Sequence, residues 1–511
     1  MRYPEHIPGT KDYIEDEARR LLRATDACIQ TFALYGYERI ILPVLERSDI
    51  FLQRSGEEIR SRMYILNDPK GKEICLRPEM TISAARAYLE RMSSRRLPVR
   101  LCYQGSMFRY DKIREGRYRQ FIQAGVESIG IENRIAADTE VVSLALDCMK
   151  RAGLSEFRLL TGDLELVAEF IGSLPVSAAV RARLLENFWR RNAFHLLLKR
   201  YSESPAQNRE GDDPVTRQVT DALSSIGDSA SQLLVRQILS LFVEKQIGQR
   251  DLDEIAERFL HRFTNKGMHL PNDCFEALQE YMSINGTPDS VLARLENLLR
   301  KIGASPGPAF ENAARRLKLL EKTEGRHVNI DFDLGFRRGI EYYTGFIFEI
   351  HCDLLGPVSQ ICGGGRYDNL LAALGASKQI PAIGFAIGLD RLLLALEKSN
   401  AQPAPDPGAH LDAVLTTIGQ VEEESIYRVA QICRQTGWRV RLELDRRRLS
   451  SVLSHASDEH IPFAIIVGED ELRDQCVKIK DMIGREEKIV AINELEKFVR
   501  DVMAQAGPGK A

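Results

Sequence analysis

The sequence lacks most of the features that would place it in a membrane, a zinc-bound fold or a familiar nucleotide-binding loop. No stretch approaches the roughly 20 uncharged apolar residues of a membrane span, and MRYPEHIPGTKDY has no basic end followed by an apolar run. An unexported, cytoplasmic protein is expected. A large net charge is missing as well: 70 Lys and Arg face 73 Asp and Glu, for a net of -3. That excludes a polycation coating nucleic acid indiscriminately and leaves room for a local basic face. The nine cysteines are scattered and never form CxxC, which fits a reducing compartment and small apolar fillers better than disulfides. His455 and His460 in SHASDEHI stand at i, i+5, off a common helical face, and there is no HExxH, so no dedicated metal site is expected. Neither GxxxxGK[ST] nor a GxGxxG leading from strand to helix occurs. No Ser-His-Asp arrangement is evident, and no histidine falls within the candidate site segments below. Nucleophilic or histidine general-base catalysis is therefore unsupported.

What is present is length and a change of texture. A chain of 511 residues exceeds one ordinary core and predicts two to four domains. Short β-rich runs (ERIILPVL, LPVRLCYQGSMFRY, RQFIQAGVESIG) precede a Leu-, Ala-, Glu- and Arg-rich stretch with apolar residues at helical spacing, and further β-rich runs follow it. This predicts one sheet-centred domain, 1–155 and 325–398, interrupted by a helical insertion, 156–324. Alternating prolines in AQPAPDPGAH mark a linker at 399–410. Beyond it a β-α-β-α-β pattern predicts a small α/β domain at 411–503, followed by a flexible tail at 504–511.

Any nucleotide must then be held by side chains, and arginine suits phosphate because its planar fork binds bidentately and stays charged. Arg109 in SMFRYD, Arg338 in FRRGIEYYTG and Arg391 in IGFAIGLDRLLLAL stand beside β-rich, aromatic or glycine-containing segments. Singly each reads as a solvated or ion-paired arginine; together they favour an anion clamp. In RQFIQAGVESIG, Gln123, Gly125 and Glu127 share one face at period 2. A buried carboxylate and amide serve a ligand or an internal network, an ion pair of Glu127 with an arginine being the even alternative. Glu79 and Thr81 in CLRPEMT add a carboxylate and a hydroxyl. Tyr342 and Tyr343, taken as strand residues, would face opposite sides, leaving one as core packing. GGGRYD at 363–368 offers close backbone approach with Arg366 and Tyr367 as polar handles.

The ordered series ERIILPVLE, CLRPEMT, GSMFRYDKIREGRYRQFIQAGVESIG, RRGIEYYTG, CGGGRYDNLL and GFAIGLDRLLL resembles the class II aminoacyl-tRNA synthetases and, within them, the histidyl-tRNA synthetase family. The resemblance implies an α+β catalytic domain with a mainly antiparallel sheet and, after the linker, an anticodon-binding-type α/β domain. It implies a substrate set of L-histidine, ATP with Mg²⁺ and tRNA(His), and a homodimer through the segment around Pro43. By resemblance, Arg109 would hold the ATP α-phosphate, Arg391 the γ-phosphate and Arg117 a further phosphate. Phe121 would stack on adenine, with Asp111 at an adenine-contacting position. Arg338 would lie between the histidine carboxylate and the α-phosphate. Glu79, Thr81 and Gln123 would receive the α-ammonium, Glu127 and Tyr343 the imidazole N–H groups, and Tyr342 and Tyr367 would line the pocket. Arg434, Arg439, Arg441, Arg446, Arg447 and Arg448 are candidate tRNA contacts, a solvated basic surface being the plain alternative. The chain departs from the family pattern at Met80, at Tyr110-Asp111 for His-Glu, at Glu341 for Asp, and in a longer insertion. The rival is a histidine-binding paralogue, the regulatory subunit of ATP phosphoribosyltransferase, which resembles the same core but generally lacks the anticodon-binding domain and much of the ATP clamp.

Overall fold

The computed structural model describes residues 5–52, 57–188, 191–202, 237, 270–324, 328–399, 411–443 and 448–505. The chain divides into two compact units, Met1–Gln402 and Pro403–Ala511. The linker at 400–410, Arg446 and Arg447, and the end of the tail lie outside the described residues. Among those described, no helix is long and apolar enough to cross a membrane.

The first unit is built on a nine-stranded sheet. Its strands are β1 (Glu38–Arg39), β5 (Val99–Phe108), β6 (Gln120–Ile129), β7 (Arg158–Asp163), β8 (Asn285–Gly286), β9 (Asn329–Asp333), β10 (Phe346–His351), β11 (Gln360–Arg366) and β12 (Ala382–Gly388). A separate three-stranded sheet holds β2 (Leu45–Arg47), β3 (Tyr64–Asn67) and β4 (Glu73–Leu76). The large sheet runs β1-β5-β6-β12-β11-β10-β7-β9-β8, antiparallel throughout except for β1–β5 and β7–β9. The mainly antiparallel expectation holds.

Strand alternation creates the site. On β6 and β12, Ala124, Val126, Ile383, Phe385 and Ile387 join one buried cluster under the helices Glu15–Leu34, Arg134–Arg151 and Leu389–Lys398. The intervening Gln123, Gly125, Glu127, Gly384 and Ala386 belong to the other face. There Tyr103, Met107, Tyr342 and Tyr367 form a second cluster with the helix Thr81–Arg91.

Helices Leu164–Ser173, Ala178–Phe188, Arg191–Ser202, Asn272–Ser283, Pro288–Lys301 and Pro308–Thr323 pack around their own core of Leu166, Phe170, Leu184, Tyr281, Leu295 and Leu317. Pro288 and Pro308 sit at helix starts, where a missing N–H costs nothing. The helical expectation for 156–324 needs correction at two strands of the large sheet. Arg158–Asp163 lies antiparallel to β10 and parallel to β9, and Asn285–Gly286 pairs with β9 at the sheet edge; runs of six and two residues are too short to stand out beside long helical periodicity. Arg366, expected as a polar handle, is also reassigned. It is 1% exposed and pairs through Nε with Asp138 at 3.0 Å and through Nη1 with Asp368 at 2.9 Å. Arg316 completes this buried network, 2.7 Å from Asp138 and 2.6 Å from Asp163, and thereby joins the helical module to the sheet.

In the second unit, β13 (Ala413–Ile418), β14 (Val440–Leu442) and β15 (Phe463–Gly468) are parallel, and β16 (Cys476–Asp481) and β17 (Glu487–Ala491) extend the sheet antiparallel. Helices Glu423–Gln435 and Leu449–Asp458 make the expected crossovers. The helix Leu495–Gln505 runs into the segment expected as tail.

Candidate active site

A cleft with about 940 Å³ of empty space, mouth included, opens on the polar face of β6 and β12. Arg109, Asp111, Arg117, Phe121, Gln123, Arg338, Arg391, Glu79, Thr81, Tyr342, Tyr343 and Tyr367 all line it. Glu127 lies directly beneath, opposite Gly384 in the β6–β12 register. Any Cβ at residue 384 would overlap the Glu127 carboxylate, so glycine is what lets that carboxylate lie across the neighbouring strand.

The acidic end of the cleft is fixed by short connections. Pro78 ends the run from β4, and the Glu79 carboxylate then accepts from Thr81 N at 2.8 Å and Ile82 N at 2.9 Å, capping the helix Thr81–Arg91. Burial raises the Glu79 carboxyl above its ordinary value despite those bonds and nearby Arg109. Glu127 accepts from Tyr103 Oη at 2.8 Å and from Tyr367 Oη. Burial pushes its carboxyl up to about 8, although the Tyr367, Thr81 and Tyr103 hydroxyls favour its charge. Of the two readings the sequence left open, the network here is tyrosine-based. Gln123 Oε1 is buried and accepts no hydrogen bond among the described residues. Tyr342 and Tyr343 both line the cleft, their rings 5.0 Å apart. The expectation that they would face opposite sides fails because they precede β10 in irregular backbone rather than a strand, so alternation does not apply; Tyr342 does pack in the buried cluster, as expected of one of the two, and lines the cleft as well.

The basic end is held by backbone carbonyls. Arg109 follows β5 and donates from Nε to Pro78 O at 2.8 Å, with its guanidinium 5.3 Å from the Phe121 ring. Arg391, in the first turn of Leu389–Lys398, donates to Gly116 O at 3.1 Å and Gln360 O at 2.7 Å. Burial lowers the pKa of both, and repulsion from Arg117 and Arg109 adds to the effect on Arg391. Arg338 stands in the loop between β9 and β10, with contacts to Phe348 O at 3.4 Å, Gly364 O at 3.5 Å and Glu349 at 3.5 Å. Burial opposes its charge, but Tyr343 and Glu349 outweigh burial and hold it above its usual value. Its guanidinium lies flat on β11 because residue 363 is glycine; a Cβ there would overlap it. Asp111 is engaged by Arg117 at 2.9 Å and by Arg62 at 3.2 Å. The arrangement can hold a polyanion at one end and a small cationic, hydrogen-bonding group at the other.

Sequence reasoning missed Tyr103 and Asp390. Tyr103 faces Gly125 across β5–β6, and its hydroxyl reaches Glu127. Asp390 accepts from Ile122 N at 2.7 Å and from Tyr13 Oη, tying Arg391's helix to β6. The available signal was the carboxylate just before Arg391 in GLDRLLL.

The family described as histidyl-tRNA synthetase matches residues 9–208 and 234–392, and the anticodon binding domain family matches residues 412–502. The chain belongs to the histidyl-tRNA synthetase family. Curated relatives include the histidine–tRNA ligases of Pyrococcus horikoshii, 30% identical with 98% of this chain and 99% of that one covered, and of Methanocaldococcus jannaschii, 30% identical with 96% and 98% covered. The histidyl-tRNA synthetase structures from Nostoc (TM-score 0.64, 19% identity) and S. aureus (TM-score 0.59, 22% identity) each cover 98% of this chain and 100% of their own, and share its fold. The cleft described above thus lies in a histidyl-tRNA synthetase-family catalytic domain.

In the second unit the expected tRNA-binding arginines are partly committed elsewhere. Arg434 donates to Val440 O at 2.6 Å, Arg439 meets Asp412 at 3.3 Å, and Arg441 pairs with Glu459 at 2.7 Å. Arg448 is exposed at the start of Leu449–Asp458.

Proposed function

We infer that this chain activates L-histidine with ATP and transfers the histidyl group to tRNA(His). The observation that best supports this is one cleft pairing three half-buried arginines, oriented by carbonyls and β11, with a pocket of buried Glu79 and Glu127 and half-buried Gln123. The orphaned Gln123 oxygen suits an α-ammonium donor, with Glu79 and Thr81 beside it. Glu127, oriented by two tyrosine hydroxyls, and Tyr343 suit the imidazole N–H groups; a ring without an N–H would forgo the further bond that Glu127 can accept in the pocket. Tyr342 and Tyr367 shape the pocket wall.

A histidine carboxylate oxygen then attacks the α-phosphorus in line, forming one P–O bond as the bond to departing pyrophosphate breaks. Arg338 offsets the charge where the two anions meet, Arg109 holds the α-phosphate, and Arg391 and Arg117 hold the outer phosphates. Asp111 orients Arg117, and Phe121 receives adenine. The terminal ribose hydroxyl of the tRNA next attacks the histidyl carbonyl and releases AMP, with no covalent enzyme intermediate. Mg²⁺ is assigned to the triphosphate as part of the substrate. Asp111 and Glu349, the carboxylates beside these arginines, are occupied by Arg62 and Arg117 and by Arg338 and His351.

We further propose the division 1–155 with 325–398, 156–324 and 411–503 as catalytic, insertion and anticodon-binding parts, the strand Arg158–Asp163 being counted with the catalytic sheet, with tRNA meeting Arg439 and Arg446–Arg448. A homodimer through the Pro43 segment is supported by the exposed Ile41, Val44 and Leu45. The regulatory paralogue is not favoured, since full-length curated relatives are ligases. The test is histidine-dependent exchange of pyrophosphate into ATP followed by charging of tRNA(His). Histidine binding without exchange would instead indicate the regulatory paralogue.

A further inference from the structure

We infer that Arg337 is a positioning residue for Arg338, fastening the loop that carries it to the helical module; this rests on the reading of Arg338 given above. The two neighbouring side chains diverge. Arg338 enters the cleft, its guanidinium 5.4 Å from the Tyr343 ring. Arg337 goes the other way: Nη1 donates to Phe188 O at 2.6 Å, the guanidinium lies 4.6 Å from the Phe188 ring and 5.4 Å from that of Phe194, and Nη2 is 3.5 Å from Met282 Sδ. A cationic donor to the Phe188 carbonyl makes a charge-assisted hydrogen bond, stronger than a neutral one. The two rings add cation–π attraction.

Arg338 needs such an anchor because its own contacts are weak. All three, to Phe348 O, Gly364 O and Glu349, lie at 3.4–3.5 Å, the outer edge of hydrogen-bonding range. Upstream the backbone is firmly seated. Leu334 N donates to Ile284 O at 3.1 Å, and a Cβ at Gly335 would stand 2.6 Å from Met282 O. Downstream a second cavity, lined by Leu185, Phe188, Arg337, Arg338, Ile340 and Tyr343 among others, separates the loop from the helices. Arg337 is thus the attachment that spans the gap at the residue next to the reacting centre. Moving the 178–202 helices moves the backbone that aims Arg338.

The test compares Arg337→Met, Arg337→Lys and Arg338→Met in the full chain, reading kcat and both KM values of histidine-dependent pyrophosphate exchange alongside the thermal midpoint. Arg337→Met is expected to lower kcat about tenfold or more, as small misplacements of reacting groups do, with both KM values little changed. Arg337→Lys, which keeps a donor for Phe188 O, is expected to fall between it and the parent. Unchanged kcat in Arg337→Met beside lost exchange in Arg338→Met overturns the positioning role alone, as does a lysine variant no better than methionine. Retained exchange in Arg338→Met overturns the underlying reading. If Arg337→Met folds poorly, Phe194→Leu, which thins the cradle without stranding a charge, must still lower kcat at unchanged KM, or the proposal fails.

Discussion

Two sets of arginines are withdrawn from solvent in the first unit, Arg316 and Arg366 fully and Arg109 and Arg391 in part, and they are held in opposite ways. Arg316 and Arg366 lie against Asp138, Asp163 and Asp368, whose charges outweigh burial and raise both guanidinium pKa values. Arg109 and Arg391 are oriented by the carbonyls of Pro78, Gly116 and Gln360, and burial lowers theirs. Carbonyls fix direction without cancelling charge, so the second pair remains electrostatically unsatisfied toward the cleft. Arg338, braced by Glu349 and Tyr343, stands between the two conditions. The partner, together with the exposure that remains toward the cleft, distinguishes a working arginine from a structural one.

The largest effect is expected at Asp138. Asp138→Ala removes the carboxylate that Arg316 and Arg366 share, leaving each with a single partner, Asp163 or Asp368, and a loss of about 3 kcal/mol is expected by equilibrium unfolding. Arg391→Met is the converse: pyrophosphate exchange should fall about 100-fold while unfolding free energy shifts by less than about 1 kcal/mol. Smaller again is Glu127→Gln, for which histidine affinity by calorimetry should weaken about tenfold and ATP affinity little; equal loss of both would discredit its assigned contact. The smallest effect is on pH dependence. Glu127 binds its proton up to about pH 8 in the folded state but releases it above about 4.5 when unfolded. The native state therefore holds more protons in that window, and ligand-free stability falls as pH rises through it. Glu127→Gln removes this contribution, so its melting midpoint should decline less between pH 5 and 8; an unchanged slope would contradict the raised value.

The arginines also show how far the sequence was legible. Arg338 and Arg366 look alike on paper, each beside glycine and ahead of tyrosine, yet Arg366's partner Asp138 lies 228 positions away, beyond the reach of spacing arguments. Period-2 reasoning succeeded on β6, where Gln123 and Glu127 reach the cleft side together, because β6 is a regular strand. It failed at Tyr342 and Tyr343, where the chain turns. The sheet-plus-insertion plan was visible as texture, but β7 was hidden because six residues barely interrupt a helical stretch. Tyr103 escaped because its role depends on strand pairing, which places its hydroxyl against Glu127 from the neighbouring strand.

Arg109→Met, measured at once for unfolding free energy and for histidine-dependent pyrophosphate exchange, separates a working arginine from a structural one most directly. Removing a half-buried cation with no carboxylate bonded to it should leave stability unchanged or higher while exchange falls about 100-fold. A loss of several kcal/mol, with exchange falling only in proportion to unfolded protein, would mean that Arg109 is a structural arginine like Arg366 and would contradict the account.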